Sequence, residues 1–415
     1  MTVERPLPID LNGTDIHAEG ARLRARGPAT RVELPGGVLA WSVTSPELLR
    51  RLLTDSRVSK DATRHWPAFI NGEIPLDWPL HIWVAARNMF TAYGADHTRL
   101  RRLVAPAFTA RRTRALAPRI ESITRALLDD LDATPPGEPV DLRERYAYPL
   151  PIQVISELMG VPDELRAGLR RAVDGVFDTS LTPEQAQANG LEMYRVIGEL
   201  IAGKRAQPAD DLTSLLLAAR DEDGSTLTDQ EVLDTCMLVI GAGHETTSNL
   251  LDQAIHALLT NPDQLALVTG GKATWRDVIE ETLRSESPVA NLPLRYATED
   301  IDLRESAGVV IGQGEPILVS YAAAGRDPAV HGEDADVFDV TRDLKSHLAF
   351  GYGTHKCIGE PLARLEAEAA LPLLFERFPD MRLAAPAAGL TPIPSFISHG
   401  HRALPVVLRP APESE

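Results

Sequence analysis

Phe350-Gly351-Tyr352-Gly353-Thr354-His355-Lys356-Cys357-Ile358-Gly359 sets three glycines, two aromatics and one cysteine ahead of a helix-like run that starts near Pro361. Glycines let a backbone bend tightly and come close to something flat. A cysteine just before a helix N-terminus feels the positive end of the dipole and the free N–H groups there, and both favour thiolate over thiol. The preceding His347-Leu348-Ala349 reads as strand-like, which places the cysteine in a loop between strand and helix. Taken alone, Cys357 would be a buried cysteine in a turn, the usual fate of a free thiol.

The offsets argue for more. Phe350, Gly353, His355, Cys357 and Gly359 stand at fixed spacing with Leu362-Ala363 following. A thiolate bonded by backbone donors beside an aromatic ring is what an axial haem ligand needs. A second segment breaks a local rule in a way that suits such a group. Thr228 and Glu231 form a capping-box pattern ahead of a helical run over 229–260, which Asn261-Pro262 ends. At 1.5 Å per residue the run spans about 45–50 Å, so its middle should be buried. There it reads Gly241-Ala242-Gly243-His244-Glu245-Thr246-Thr247, poor helix formers for a core position. A glycine beside a threonine can open the backbone ladder, and the hydroxyl can take a released carbonyl or hold a water. His244-Glu245 does not make a zinc-protease helix, because the second histidine would fall at position 248, which is Ser248.

Bulk properties set the frame. The chain has 415 residues, 44% of them apolar, with no uninterrupted apolar run long enough to span a membrane and no apolar segment of signal-peptide type at the start. A soluble cytoplasmic protein without a membrane anchor is the expectation. Two cysteines, Cys236 and Cys357, are too few for a disulfide framework. A net charge of −17 argues against a nucleic-acid partner. The charge is uneven: between His97 and Arg119 lie Arg99, Arg101, Arg102, Arg111, Arg112, Arg114 and Arg119, with no acid among them. That stretch reads either as a solvated helix face or as a docking patch for an acidic partner. Strand-like runs fall at 31–43, 301–303, 309–311 and 317–320, and helical ones at 111–131, 184–201, 229–260 and 361–378. The segment 60–93 is irregular and rich in aromatics (Trp66, Trp78, Trp83), which suits either simple packing or the wall of an apolar pocket.

On the cysteine loop and the Glu245-Thr246 segment the chain resembles the cytochrome P450 superfamily, most closely its soluble actinomycete members, from about Ala18 to Leu408. The resemblance implies a mainly α, single-domain fold over 1–415 with a minor β-sheet region and the long central helix over the haem. Short flexible tails are expected at 1–15 and 410–415. It further implies haem b with Cys357 as the metal ligand, dioxygen as co-substrate, and electrons drawn from NAD(P)H through a ferredoxin reductase and a small acidic ferredoxin, the chain itself acting as a monomer. Glu245-Thr246 matches the family's acid–alcohol pair, whose implied role is to supply protons as dioxygen is cleaved. Ala242 and Gly243 would lie over the haem, and Phe350, Gly351, Gly359 and Ala363 would pack around it. His97, Arg101, Arg295 and His355 match the positions that hold the haem propionates.

Glu281 and Arg284 share a helix face and match a structural pair behind the cysteine loop. Where the family adds an arginine directly before a phenylalanine, Val337 precedes Phe338 here, and Arg342 is the nearest substitute. The implied substrate pocket draws on Trp83, Val84 and Met89, on Phe177, on Leu238, on Val289, Ala290 and Leu292, and on Phe396 and Ile397. These are apolar, which suits a bulky lipophilic substrate such as a steroid, a macrolide or another polycyclic natural product. Hydroxylation is the expected reaction. The same fold could instead couple aromatic rings oxidatively, run on peroxide, or bind haem without turnover, the last being hard to square with an acid–alcohol pair.

Overall fold

The computed structural model describes residues 5–220 and 224–411. Helices dominate and the longest is the expected one. Asp229–Thr260 runs for 32 residues behind a complete capping box, in which the Thr228 hydroxyl accepts from the Glu231 N–H and the Glu231 carboxylate accepts from the Thr228 N–H. It packs against Pro149–Met159, Pro183–Ala206, Trp275–Ser285 and Glu360–Arg377, so nearly every position from 247 to 258 is buried. Apolar side chains cluster on both sides of it, one group reaching towards Trp66 and Phe177 and the other towards Phe375 and Leu404.

The main sheet has six strands in the order Leu7–Pro8, Ala29–Leu34, Val38–Val43, Pro316–Ser320, Asn291–Ala297, Val58–Ser59. The strand-like run 31–43 is a hairpin rather than one strand. Pro35, Gly36 and Gly37 turn it, the two glycines at φ 72 and 76°, and Leu34 then pairs with Val38. The expected runs at 301–303 and 309–311 pair as a separate two-stranded sheet. Of the tails expected to be flexible, 1–4 and 412–415 lie outside the described residues; within 5–15, Leu7 and Pro8 are paired to Val32 and Glu33.

Two further local expectations fail for identifiable reasons. The helix expected over 111–131 is two helices, Ala110–Ala115 and Ala117–Asp132. Pro118 lacks an N–H and its ring would clash with the carbonyl one turn back, so it starts the second helix instead of continuing the first. The stretch 347–349 is no strand. The Ala349 N–H donates to Nδ1 of His347, whose Nε2 pairs with Glu280, and the chain then turns directly into the cysteine loop.

Candidate active site

The loop is closed by its own backbone. Gly351 N–H donates to Leu348 O at 2.7 Å and Cys357 N–H donates to Phe350 O at 2.8 Å. Gly351 and Gly353 take φ of 70 and 73°. A Cβ at Gly353 would stand 2.4 Å from the Leu53 carbonyl oxygen, so the loop lies tight against the helix Pro46–Thr54. Cys357 is open to space, but that space is internal: a cavity of about 280 Å³ bounded by Phe350, Gly351, His355, Cys357, Gly359 and Ala363 on this side. The N–H groups of Gly359 and Glu360 reach the sulfur as the helix-terminus argument requires. Burial nonetheless outweighs them and pushes the thiol up. The expected thiolate therefore needs a cation at the sulfur, and a coordinated metal deprotonates a thiol outright.

The opposite wall is the central helix. Ala242 is exposed and Gly243 and Thr246 half-exposed in a helix whose next nine residues are buried, and the space they face is the same cavity. The glycines do not break the helix, which is continuous. Thr246 Oγ1 donates to the Ala242 carbonyl at 2.7 Å. Gly243 lines the cavity with Ala242, as expected, and a Cβ there would lie 2.9 Å from Ile155 Cδ1, so the glycine also permits close packing with Pro149–Met159. Glu245 turns away from the cavity and is 4% exposed. Its carboxylate accepts from Asn249 Nδ2 at 3.1 Å and Arg143 Nη2 at 3.4 Å. Burial pushes it up to about 7, with Arg143 opposing.

At one edge of the cavity cations gather without acids. The ring of His97 lies 4.1 Å from that of His355, and Arg101 Nη2 donates to Lys356 O at 2.8 Å. Arg295, His97 and Arg101 all act on His355, which burial and these neighbours hold low. Lys60, which the sequence did not single out, joins them at 3% exposure. Among the described residues its Nζ, Arg295 Nη1 and His97 Nε2 are buried with no hydrogen-bond partner, and no carboxylate is among the groups acting on these three. Buried cations require a counter-charge. A group carrying two carboxylates, flat enough for the slot between Cys357 and Ala242, meets that demand, and haem b is such a group.

Behind the loop Glu281 and Arg284 are both fully buried. Arg284 donates to the Glu281 carboxylate at 2.6 and 2.8 Å and to the carbonyls of Gly325, Ala335 and Val337. Arg342 Nε stands 3.6 Å from Glu281, in the place left open by Val337. Glu280, one residue earlier, binds His347 and Arg364 and so ties this helix to the loop's entry and exit; it carried no signal in the sequence.

Trp83, Met89, Phe177, Leu238, Val289 and Leu292 line the cavity as expected. Val84, Ala290, Phe396 and Ile397 do not. Val84, Phe396 and Ile397 belong to the apolar core, and Ala290 packs with Ile16 and Ala322, its N–H bonded to the Ile397 carbonyl. Ile155, Met193, Met237 and Phe108 take part instead. They come from helices whose inward face is set only by packing.

A family profile, Cytochrome P450, matches residues 193–268 and 275–380. The chain is similar to 2-hydroxy-5-methyl-1-naphthoate 7-hydroxylase of Streptomyces carzinostaticus, 46% identical over 97% of this chain and 98% of that one. Among solved structures it is similar to CYP154A1 from Streptomyces coelicolor A3(2), 58% identical with a TM-score of 0.92 over 97% of this chain and 100% of that one. It is also similar to testosterone-bound CYP154C4 from a Streptomyces species, 45% identical with a TM-score of 0.93 over 98% and 99%. With a cysteine and a small-residue helix lining one cavity, and relatives of this identity along nearly the whole chain, the protein belongs to the cytochrome P450 family and is a haem-dependent monooxygenase.

Proposed function

We propose that the protein hydroxylates a bulky, lipophilic, ring-containing small molecule, such as a steroid, a macrolide or a polycyclic aromatic. The observation that carries this reading is the cavity wall opposite Cys357, where Trp83, Met89, Phe177, Leu238, Val289 and Leu292 offer apolar surface and no charge. Relatives named for a naphthoate and for testosterone fit the same class.

When bound, haem b supplies the iron at which dioxygen is activated. The chain's own residues do the rest. Cys357 would ligate the metal, Lys60, Arg101 and Arg295 would neutralise the propionates, and His97 and His355 would hydrogen-bond to them. Thr246 holds a proton-donating hydroxyl at the cavity wall, and Glu245, protonated near neutrality, replenishes it. The apolar wall orients the substrate and excludes water.

A small acidic ferredoxin is the electron donor in this reading. Arg102 is exposed on the helix Gly94–Val104 that carries Arg101, and Arg111, Arg112 and Arg114 on the following Ala110–Ala115, while Arg101 itself binds the cysteine loop. Opposite charge would steer an acidic partner to that side. The cytoplasm, with its reductants, is the fitting compartment.

The reading is tested on the purified haem-loaded protein by titrating steroids, macrolides and polycyclic aromatics and following the Soret band. A saturable spin-state shift with one of these, followed by a hydroxylated product from a ferredoxin system, is expected. A response confined to short-chain or charged compounds would overturn it.

A further inference from the structure

We propose that Asp174, together with His244 and Tyr148, forms the outer half of the proton path that reloads Glu245 from solvent. This rests on the reading of Glu245 and Thr246 as a relay, and the test below separates the two.

Glu245 faces away from the cavity, so its protons must come from behind the central helix. What stands there is specific. Asp174, His244 and Glu245 each bring one polar atom to within 4.8 Å of the other two. Asp174, near the end of the helix Asp163–Phe177, is exposed, whereas His244 is fully buried and Glu245 nearly so. No side chain among the described residues bonds a ring nitrogen of His244, the Tyr148 backbone acts on the imidazole, and the His244 ring stands edge-on to that of Tyr148 with 4.1 Å between centroids. The Tyr148 hydroxyl donates to Asp174 Oδ1 at 2.5 Å and fixes that carboxylate beside the buried pair.

A buried ring nitrogen left without a partner is costly, so the site favours an ordered donor or acceptor there. A separation under 5 Å is one that a single bridging water spans with two ordinary hydrogen bonds. One water held among the three groups would bond one nitrogen of His244 and join an exposed carboxyl to a buried one. A proton taken from bulk water by Asp174 then passes across this bridge to Glu245. Glu245 yields its own proton towards Thr246, and Asp174 returns to the carboxylate form; no electron moves.

The remaining charges around Glu245 are consistent with such a station. Arg143 favours its ionised form, and the like charges of Asp174 and Asp252 favour the protonated one. His401 and Arg143 hold Asp252 ionised. Arg170 lies over the Tyr148 ring and pairs with Glu144, at the solvent end.

The experiment uses the haem-loaded protein with Asp174→Asn, His244→Phe and Thr246→Ala. The first readout needs no turnover. The carboxylic-acid infrared band that vanishes in Glu245→Gln is titrated with pH in the resting enzyme. Removing the Asp174 charge should move its midpoint to lower pH. The second readout is peroxide released per NAD(P)H consumed, with its solvent isotope effect. Asp174→Asn and His244→Phe should each raise both several-fold with the Soret band unmoved, and Asp174→Glu should restore them. Wild-type coupling in Asp174→Asn beside an uncoupled Thr246→Ala overturns this path alone. Wild-type coupling in Thr246→Ala removes the relay on which it rests. Asp174 is exposed, so its variant carries the test even if His244→Phe does not fold.

Discussion

Glu245 and Thr246 are neighbours in the chain but serve opposite sides of the central helix: Thr246 faces the cavity, while the Glu245 carboxylate is buried against Arg143. The helix turns by about 100° per residue, so adjacent positions can meet different surroundings, and Thr247 rather than Glu245 joins Thr246 at the cavity. The division gives each residue one task, the hydroxyl at the reacting side and the carboxyl at the supply side.

Thr246→Ala should therefore uncouple the enzyme without harming the fold. The lost bond, Oγ1 to the Ala242 carbonyl, duplicates an acceptor the helix already uses. Product formation should drop roughly 100-fold, the lower end of what a positioned proton donor contributes. Oxygen consumption should continue and end as peroxide. Thr246→Ser should keep most of the coupling. A Thr246→Ala enzyme that still turns oxygen into product would contradict the assignment.

The raised Glu245 carboxyl has a consequence for stability. It titrates near 7 in the fold against an ordinary value of 4.5. Between those values the folded protein holds a proton that the unfolded chain has lost, so stability falls as pH rises through the window. Relative to Glu245→Gln, which cannot ionise, the wild type should lose on the order of 3 kcal/mol from about pH 4.5 to about pH 7 and then level off. Urea titrations of both proteins at several pH values measure this. Parallel profiles would mean that Glu245 is ionised throughout.

The parts of this site that could be read from sequence are those built from local rules. The capping box at Thr228 and Glu231 and the stop at Asn261-Pro262 delimit Asp229–Thr260 without tertiary information. The glycines of the cysteine loop announce its turns because positive φ is needed there. What was missed depends on which way a face points. Trp83 lines the cavity and Val84 does not, and Val289 does while Ala290 does not, because neighbours on one segment part company when it packs. Lys60 was invisible for a different reason: a lone lysine carries no pattern until its fold places it among Arg295, His355 and His97.

Arg284→Met should be among the most damaging single changes outside the cavity. It leaves the fully buried Glu281 with Arg342 at 3.6 Å and a backbone N–H from Asp339. Breaking a buried pair from one side costs about 3–5 kcal/mol. Removing Glu281 as well, in Glu281→Leu/Arg284→Met, should recover part of this. It cannot recover all, since the carbonyls of Gly325, Ala335 and Val337 still lose their donor. A double-mutant cycle by urea unfolding reads the coupling, and strict additivity would show that the two do not act as a unit.

Gly353→Ala should damage the cysteine loop specifically. The position needs φ of 73°, and the added Cβ would press on a backbone carbonyl, which yields less readily than a side-chain tip. The fraction of protein that retains haem, read from the Soret-to-protein absorbance ratio, should fall several-fold. Gly389→Ala, where a Cβ meets nothing within 4 Å, is the matched control and should be neutral.

Lys60→Met separates the needs of the empty and the loaded protein. Without a counter-ion, a buried ammonium beside Arg295 is a liability, and burial holds its proton affinity well below that of a free lysine. Among the described residues the ammonium is met by the Phe90 ring, 3.5 Å from Nζ. Methionine keeps the length and apolar stem and removes the charge, so the haem-free protein should gain stability in urea. If Lys60 holds a propionate, the loaded protein must show the opposite. Haem should pass to an excess of apomyoglobin several-fold faster from Lys60→Met than from the wild type, because a charged hydrogen bond has been lost only in that state. Loss of haem at the wild-type rate would mean that the propionates are held by His97, Arg101, Arg295 and His355 without it.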